Sequence, residues 1–343
     1  MKGTRLPAEW EPQAALLVAW PHPDSDWGPA LDAVEEEYLR LAREVCARQG
    51  LWILCRDAAH QAHVAARLAD LPPGRLAFAR LPYDDTWCRD YGPVTVRRGG
   101  RRVLLDFRFN AWGGKYPWQR DDRACRAAHR QGLFGDLPLE PVPWVLEGGA
   151  IDGDGAGTLL ATRSVLLDRR RNPDADEPGV TERLRTWLGA ERVLWLEGLP
   201  LAGDDTGGHV DTLARFCDPA TLAYSQAPGP GHPDAPALAR LEGELEALRR
   251  PDGRPYRLVP LPLPAPLEGP EGPLPANYTN FLVINGAVLV PAYGDPADAV
   301  ARERLAACFP GREALSLPAR ALISQRGGPH CAAMQIPAAV TKL

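Results

Sequence analysis

Long apolar runs are missing from this chain of 343 residues. The run nearest the N-terminus covers only residues 14–20, and the acidic residues Glu9 and Glu11 precede it. A membrane-spanning helix needs about 20 apolar residues, and a signal peptide begins with a basic segment. The sequence therefore predicts neither a membrane span nor a signal peptide, and it favours a cytoplasmic location.

Paired cysteines are also missing. The seven cysteines lie at positions 46, 55, 88, 125, 217, 308 and 331, and no two of them form a C-x-x-C motif. This spacing offers neither a zinc framework nor a thioredoxin-like redox motif. In a chain of this length, scattered cysteines are typical of a reducing cytosol rather than of a disulfide scaffold.

Concentrated positive charge is the third absence. Acidic and basic residues are mixed along the chain and give a formal net charge of -5. The densest basic run, residues 169–171, is short and is flanked by Asp168 and Asn172, so we interpret it as a solvated turn. Binding to nucleic acid or to a membrane surface requires clustered positive charge. The sequence therefore predicts neither of them as a partner.

Proline and glycine are abundant, with 36 and 33 residues, and they divide the chain into short elements. A weak repeat is visible, in which two strands, a helix and a further strand recur about every 65 residues. Five such units predict a single α/β domain over residues 1–343, built by radial repetition. A proline-rich segment, residues 260–275, separates the last two units, and we interpret it as a surface loop or lid.

Alternating and continuous apolar residues place the individual elements. They predict strands at 16–20 and 51–55, with a helix at 29–49 between them. Further along the chain they predict strands at 165–167 and 210–217. The second of these would place His209 and Asp211 on one face of a strand.

Polar clusters lie at or near the ends of four units, in residues 84–93, 146–149, 203–211 and 327–331. If each unit presents its end to a common axis, five side chains of these clusters converge there. They are Asp90, Glu147, His209, Asp211 and Cys331. Each also has an ordinary structural explanation, such as an ion pair with a neighbour, a solvated acid or a buried thiol. Only the set as a whole favours a functional site.

Two kinds of chemistry fit such a set. Carboxylates with a histidine suit a divalent-metal hydrolase, but only one histidine lies in the set and no second histidine stands at ligand spacing. The alternative is a planar cation such as a guanidinium, which two carboxylates hold in bidentate geometry. Cys331 then attacks the guanidinium carbon as a thiolate, and His209 acts first as an acid and then as a base. This second chemistry needs neither a metal nor a cofactor.

The ordered motifs resemble the agmatine deiminase / bacterial peptidyl-arginine deiminase family of the guanidino-group-modifying superfamily. The likeness runs from residue 7 to residue 337, and motifs in this order are far more specific than any one alone. The motifs are Trp87-x-Arg89-Asp90-x-Gly92-Pro93, Leu146-Glu147-Gly148-Gly149, Asp205-Thr206-x-Gly208-His209-Val210-Asp211, Asn277-Tyr278-x-Asn280-Phe281 and Gly327-Gly328-Pro329-His330-Cys331.

The resemblance implies a five-bladed pseudo-symmetric α/β propeller of repeated ββαβ units around an axial active site. It implies that Cys331 is the nucleophile and His209 the general acid and base. Asp90 and Asp211 would bind the guanidinium, and Glu147 would contact the guanidinium and support His209.

The resemblance also implies residues that read the remainder of the substrate. Trp87 would pack near the substrate, and Asp205 would lie near its far end. His330 matches a position that we interpret as supporting the site rather than reacting.

Two motifs depart from the usual agmatine deiminase pattern. Those enzymes usually have Asn and Ile where this chain has Gly328 and Pro329, just before the nucleophile. They also commonly carry Glu at Asp205 and Asn at Gly207, positions that read the tail of the substrate. The sequence therefore predicts the reaction more firmly than it predicts which tail the substrate carries.

The predicted activity is that of a hydrolase acting on C–N bonds of linear amidines, within EC 3.5.3. The first hypothesis is deimination of agmatine to N-carbamoylputrescine and ammonia. The second is deimination of another guanidine: free arginine, peptidyl-arginine or a small derivative. The third is a non-catalytic propeller that binds a guanidine or a polyamine. The expected partner is a small guanidine, and a homodimer is left open.

Overall fold

A computed structural model describes residues 3–339 of the chain. Its strands are β1 (Thr4–Arg5), β2 (Gln13–Ala19), β3 (Gly50–Cys55), β4 (Leu76–Arg80), β5 (Val94–Arg98), β6 (Arg101–Arg108), β7 (Leu139–Val145), β8 (Ile151–Gly153), β9 (Thr158–Thr162), β10 (Arg192–Leu196), β11 (Ala214–Asp218), β12 (Thr221–Gln226), β13 (Arg257–Pro262), β14 (Leu267–Gly269), β15 (Gly272–Leu274), β16 (Leu282–Ile284), β17 (Ala287–Ala292), β18 (Glu313–Pro318) and β19 (Ala333–Pro337). Its α-helices are α1 (Leu31–Cys46), α2 (Ala58–Arg67), α3 (Cys88–Tyr91), α4 (Ala111–Gly114), α5 (Ala124–Arg130), α6 (Arg163–Leu166), α7 (Glu177–Leu188), α8 (Ala235–Ala247), α9 (Ala297–Cys308) and α10 (Arg320–Ser324). Short 3₁₀ turns lie at Gly28–Ala30, Pro73–Arg75, Asp121–Arg123, Gly148–Ala150 and Val210–Thr212.

The larger sheets repeat one pattern, in which an antiparallel pair is followed by a parallel neighbour. The pattern occurs in β5-β6-β7, β8-β9-β10, β11-β12-β13, β16-β17-β18 and β19-β2-β3. Each parallel step needs a crossover, and a helix occupies it, as α1 does between β2 and β3. The predicted α/β class is therefore confirmed.

The first and last parts of the chain share one sheet. Strand β19 begins two residues after Cys331 and pairs antiparallel with β2, with Ala333 opposite Val18. The sheet that contains β2 and β3 therefore takes its antiparallel strand from the C-terminal part of the chain. This pairing holds the Cys331 segment against the N-terminal segment.

Apolar spacing explains the main core elements. Strand β2 is buried over almost its whole length, as expected of a strand covered on both faces. Helix α1 turns Val34, Tyr38, Leu41 and Val45 into the core, at the helical spacing seen in the sequence.

Two predicted strands have a different structure. Residues 165–167, predicted as a strand, lie in and just after helix α6. In residues 210–217, a 3₁₀ turn comes first and β11 starts only at Ala214. Local side chains favour this turn, because Thr206 Oγ1 accepts from the His209 amide at 3.0 Å and Thr212 Oγ1 donates to the His209 carbonyl at 2.8 Å. His209 and Asp211 therefore lie on a tight turn and not on a strand face.

The proline-rich segment 260–275 is partly regular. It includes the end of β13 and the antiparallel hairpin of β14 and β15. Its role as a lid stays a prediction.

All seven cysteines have free thiols and are buried. Over residues 3–339, none of the helices combines the length and the hydropathy that crossing a bilayer requires.

Candidate active site

A cleft of about 380 Å³ has the side chains of Cys331 and Asp90 at its inner end. Trp87 and Asp205, both predicted from the sequence, also line this cleft. His209, Asp211 and Glu147 are buried behind the inner end and contact the lining residues or one another. The structure thus brings all the residues predicted for the site together.

Asn280 fixes the position of Cys331. Its side-chain oxygen accepts from the backbone amides of His330 and Cys331 at 3.0 and 3.3 Å, and its Nδ2 donates to Cys331 Sγ at 3.2 Å. The approach is so close that a Cβ at Gly328 would lie 2.5 Å from Asn280 Oδ1, and one at Gly327 would lie 2.5 Å from the Trp87 ring. The two glycines therefore allow the Cys331 loop to approach the side chains of Asn280 and Trp87 closely.

His209 lies between two carboxylates. Its Nε2 is 2.8 Å from Glu147 Oε2, and its Nδ1 is 3.8 Å from Asp90 Oδ1. Burial alone would lower the pKa of His209, but the charge of Asp90 and the hydrogen bond with Glu147 outweigh it and raise the pKa to about 9. His209 is therefore an imidazolium at neutral pH, and within the described chain its Nδ1 has no hydrogen-bond partner.

Asp90 and Asp211 flank Gly149. A Cβ on Gly149 would lie 3.0 Å from a carboxylate oxygen of each and 2.6 Å from His209 Nδ1. Asp90 accepts from the Gly149 amide and from Trp112 Nε1, both at 2.9 Å. Asp211 Oδ2 lies 3.9 Å from Cys331 Sγ. Gly149 therefore leaves the room in which the two carboxylates and His209 Nδ1 approach one another, and Asp211 also approaches the Cys331 thiol.

The two carboxylates differ in pKa. Burial raises the pKa of Asp90, and the charges of Glu147 and Asp211 add to the effect. Burial also acts to raise the pKa of Asp211, but the hydrogen bond from His330, together with the nearby charges of His209 and Arg215, outweighs it and the pKa is lowered. The Asp211 carboxylate is thus the more firmly ionised of the two.

The thiol of Cys331 is neutral in this arrangement. Burial raises its pKa well above the ordinary value, and the charges of Asp211 and Asp90 raise it further. A cation placed between these two carboxylates would oppose both of their charges and lower the pKa of Cys331.

Arg171 is a site residue that the sequence reasoning missed. Residues 169–171 were predicted to be a solvated turn, and Arg170 is indeed exposed, but Arg171 is buried. Its Nε lies 2.9 Å from both carboxylate oxygens of Glu147, and its Nη2 donates to the Thr206 carbonyl at 2.6 Å. Burial acts to raise the pKa of Glu147, but the charges and hydrogen bonds of Arg171 and His209 together outweigh it and lower the pKa, so Glu147 stays ionised opposite His209. Apart from the nearby Asp168, with which it pairs, no local signal marked Arg171.

Replacing Arg171 by methionine should lower kcat about 100-fold, on the scale of general acid–base contributions, with a smaller effect on KM. Without the guanidinium, Glu147 loses one of its two charge partners and no longer holds His209 in one orientation. The matched control is Arg170→Met, which removes the exposed neighbour and should leave both constants unchanged. Steady-state rates of the two variants, with melting temperatures to verify folding, check this. Equal activities would contradict the role of Arg171.

Aromatic side chains form the walls of the cleft. Trp112 packs edge-on against Phe109 and Tyr116, with ring centroids 5.2 and 5.8 Å apart, and Trp87 packs edge-on against Trp27 at 5.6 Å. These walls suit an aliphatic chain of modest length.

The outer part of the cleft is acidic. It is lined by Asp26, Asp85, Asp205 and Glu271, with the single arginine Arg326. Burial raises the pKa of Asp85 to about 7, and the charges of Asp26 and Asp205 contribute. Such a field favours a ligand with positive charge at its outer end.

Across residues 3–339 no group of three or more His, Cys, Asp or Glu side chains is arranged to hold a metal ion.

The chain is similar to known proteins over nearly its whole length. Residues 5–337 match the model of the Porphyromonas-type peptidyl-arginine deiminase family. Agmatine deiminase from Ectopseudomonas mendocina is 32% identical, over 98% of this chain and 96% of the relative. A structure of a Cys-to-Ser variant of C. jejuni agmatine deiminase with substrate bound has a TM-score of 0.91 and 30% identity, and covers 98% of this chain and 97% of that one. A structure from Porphyromonas gingivalis, provisionally named an arginine deiminase, has a TM-score of 0.90 and 41% identity, and covers 97% and 98% of the two chains.

Proposed function

The chain belongs to the Porphyromonas-type peptidyl-arginine deiminase family, and from this premise we propose that it is an agmatine deiminase. It hydrolyses the guanidinium of agmatine to N-carbamoylputrescine and ammonia. One observation carries the proposal: Asp90 and Asp211 flank Gly149 beside the Cys331 thiol, at the inner end of a cleft with an acidic mouth.

Asp90 and Asp211 bind the guanidinium. Within the described residues, Asp211 Oδ1 is buried without a hydrogen-bond partner, so it can accept from a guanidinium N–H. The N–H groups of a guanidinium match carboxylates in fixed planar geometry, which directs its carbon toward Cys331 Sγ. Trp87 packs against the substrate from the wall of the cleft.

Binding starts the first half of the reaction. The positive charge of the guanidinium lowers the pKa of Cys331, and the thiol proton leaves to solvent. The thiolate attacks the guanidinium carbon, and the C=N electron pair moves onto nitrogen. His209 then donates its proton to the departing nitrogen, ammonia leaves, and a positively charged amidino thioether remains on Cys331.

Water completes the reaction. The neutral His209 accepts a proton from the attacking water, and the new tetrahedral centre collapses with expulsion of the Cys331 thiolate. The remaining hydroxyl proton passes to solvent, which leaves the ureido product. Glu147 stabilises the imidazolium that forms, and Arg171 holds Glu147 in place.

The acidic mouth supports agmatine over arginine. The outer end of agmatine is an ammonium, which the carboxylate of Asp205 attracts. The carboxylate of free arginine would instead be repelled by the same acidic side chains. Two cations favour the alternative, free arginine or peptidyl-arginine. Arg326 is already engaged by the Gly203 carbonyl at 2.9 Å and by Glu271 at 3.3 Å, and Lys115 donates to the Asp205 carbonyl.

The repeated sheets support the proposed architecture. We propose that they surround a common axis as a five-bladed α/β propeller, with residues 1–343 as a single catalytic domain. The pairing of β19 with β2 supports this, because it joins the two ends of the chain. The proposed setting is cytoplasmic, in keeping with the reduced cysteines, and neither a cofactor nor a metal takes part in the proposed mechanism.

The ranking of substrates tests the proposal. In the presence of EDTA, kcat/KM for agmatine should exceed that for arginine and for a peptidyl-arginine by about 100-fold, the scale of one or two charge contacts. Asp205→Asn should raise KM for agmatine about tenfold, or 1.4 kcal/mol, and leave that for butylguanidine unchanged. The uncharged tail of butylguanidine is the control. A preference for arginine would contradict the assigned substrate, and no ureido product from any guanidine would contradict the deiminase function.

A further inference from the structure

A chain of buried charged groups continues behind Asp211, on the side away from the cleft. His330 Nδ1 lies 2.7 Å from Asp211 Oδ2, and His330 Nε2 lies 2.9 Å from Glu9 Oε2. Arg215 donates to the same oxygen of Glu9. All four side chains are buried. They connect the guanidinium site to the N-terminal segment.

The contacts of His330 require both ring nitrogens to donate. A neutral imidazole has one N–H and one lone pair, so it could bind only one of the two carboxylates. The other nitrogen would then direct its lone pair at a carboxylate oxygen in a buried site, which is costly. His330 therefore bridges Glu9 and Asp211 as a double donor.

Glu9 is itself held firmly. Its Oε1 accepts from the Val283 amide at 2.7 Å, while Oε2 faces Arg215 and His330. Burial acts to raise the pKa of Glu9, but Arg215 and His330 outweigh it, and the pKa is far below its ordinary value. Glu9 therefore presents a fixed negative charge to His330.

We propose that His330 and Glu9 are positioning residues for the guanidinium site, which orient the Asp211 carboxylate so that Oδ1 stays free for the substrate. This inference rests on the proposed function of the site. His330 forms a hydrogen bond with Oδ2 of Asp211 on the side away from the cleft, and Oδ1 has no hydrogen-bond partner among residues 3–339. Rotation of the Asp211 carboxylate out of its plane would break its bond to His330, so the ring fixes the direction in which the free oxygen points.

His330 also contributes to the lowered pKa of Asp211. Asp90 accepts hydrogen bonds from two neutral donors, the Gly149 amide and Trp112 Nε1, and its pKa is raised, whereas the hydrogen bond from His330 is the first of the causes that lower the pKa of Asp211 despite burial. The other charged or titratable groups that face this network are Arg89, Asp152 and Arg215 behind it, and His209, Asp90 and Cys331 on the side of the cleft. Loss of His330 should therefore raise the pKa of Asp211. As the pH is lowered, Asp211 would become protonated, and cation binding would be lost, at a higher pH than in the protein with His330.

A purely structural ion network would behave differently. It would lower the melting temperature when broken, but it would leave the affinity of the folded protein for a guanidine unchanged at every pH. Affinity as a function of pH separates the two roles.

The experiment measures agmatine binding by calorimetry in the Cys331→Ser protein, in which turnover does not compete. Adding His330→Gln should weaken binding about 10- to 100-fold at pH 6, the scale of a charge-assisted hydrogen bond, and less at pH 8. Adding Glu9→Gln, which keeps the size and an acceptor, should weaken it in the same direction and by less. The matched control is His63→Gln, which breaks a half-exposed histidine–carboxylate pair with Glu35 away from the cleft.

The positioning role would be overturned if either folded variant bound agmatine at both pH values with an affinity within threefold of that of the Cys331→Ser protein. If His330→Gln fails to fold, the Glu9→Gln result decides alone. Failure of the proposed function gives a different result: the parent protein would form no ureido product, whereas the comparison of binding constants could still be made with guanidinium ion as the probe.

Discussion

Replacing Cys331 by serine is expected to abolish turnover of agmatine while agmatine still binds. A hydroxyl is far harder to ionise than a thiol and forms no thiolate, so we expect kcat to fall by about 10⁴-fold or more, as for other nucleophile removals. The carboxylates of Asp90 and Asp211 are untouched, and Asn280 can still donate to the oxygen. Release of the ureido product measures kcat, and calorimetry measures binding.

The matched control for this variant is Cys88→Ser. Cys88 is buried close by, and its Sγ lies 3.2 Å from the backbone carbonyls of Leu17 and Ala332, contacts that a hydroxyl can also make. The control should keep kcat within about threefold, since a hydroxyl replaces a neutral hydrogen bond of modest net worth. Turnover by the Cys331→Ser protein at a rate near that of the control would refute covalent catalysis at Cys331.

Replacing Asp90 by asparagine should lower kcat/KM about 1000-fold, because removing one partner of a buried ion pair costs about 3–5 kcal/mol. The change removes one of the two guanidinium contacts and keeps the size of the side chain. It also removes the largest influence that raises the pKa of His209 above its ordinary value. His209 would then lose its proton at a lower pH, and the alkaline limb of the kcat/KM profile should move to lower pH.

The pH profile distinguishes this loss from general destabilisation. The control variant is Asp106→Asn, which alters a buried aspartate paired with Arg126 outside the cleft. It should change stability without moving the alkaline limb. An Asp90→Asn protein with the parent's profile and a loss below tenfold would contradict the assignment of Asp90 to the guanidinium site.

The resting state of Cys331 follows from the same electrostatics. With Asp90 and Asp211 beside it and no cation between them, the thiol has a raised pKa. In the proposed mechanism, a bound guanidinium supplies the positive charge that favours the thiolate. We therefore expect slow alkylation of Cys331 in the free protein, since the reactive form of the residue depends on a bound cation.

The sequence pointed to the residues that we propose to react because they lie in dense polar motifs. Asp90, Glu147, His209, Asp211 and Cys331 each follow or precede glycine-containing turns, and their order matches a known family. The contacts that support them were not visible, because they join residues far apart in the chain. Glu9 and His330 are the clearest case, 321 positions apart, and Glu9 was noted only as an acid before an apolar run.

The errors in the predicted strands also follow from the local sequence pattern. Apolar runs located most strands, but the run at 165–167 is equally compatible with a buried helix, and it lies in and after α6. At 210–217, hydrogen bonds from Thr206 and Thr212 to the backbone of His209 override the apolar pattern at its start. The pairing of β19 with β2 could not be read from either segment alone, because both are short apolar strands without a partner signal.

Covalent chemistry at Cys331 is the central claim, and acid quenching during the first turnover tests it most directly. Peptide mass mapping of the parent protein mixed with agmatine should find an amidino adduct, agmatine less ammonia, on the peptide that contains Cys331. The adduct should appear before the ureido product and decay as the product accumulates. Product formation with Cys331 unmodified at every time point, or with the adduct on another residue, would contradict the claim.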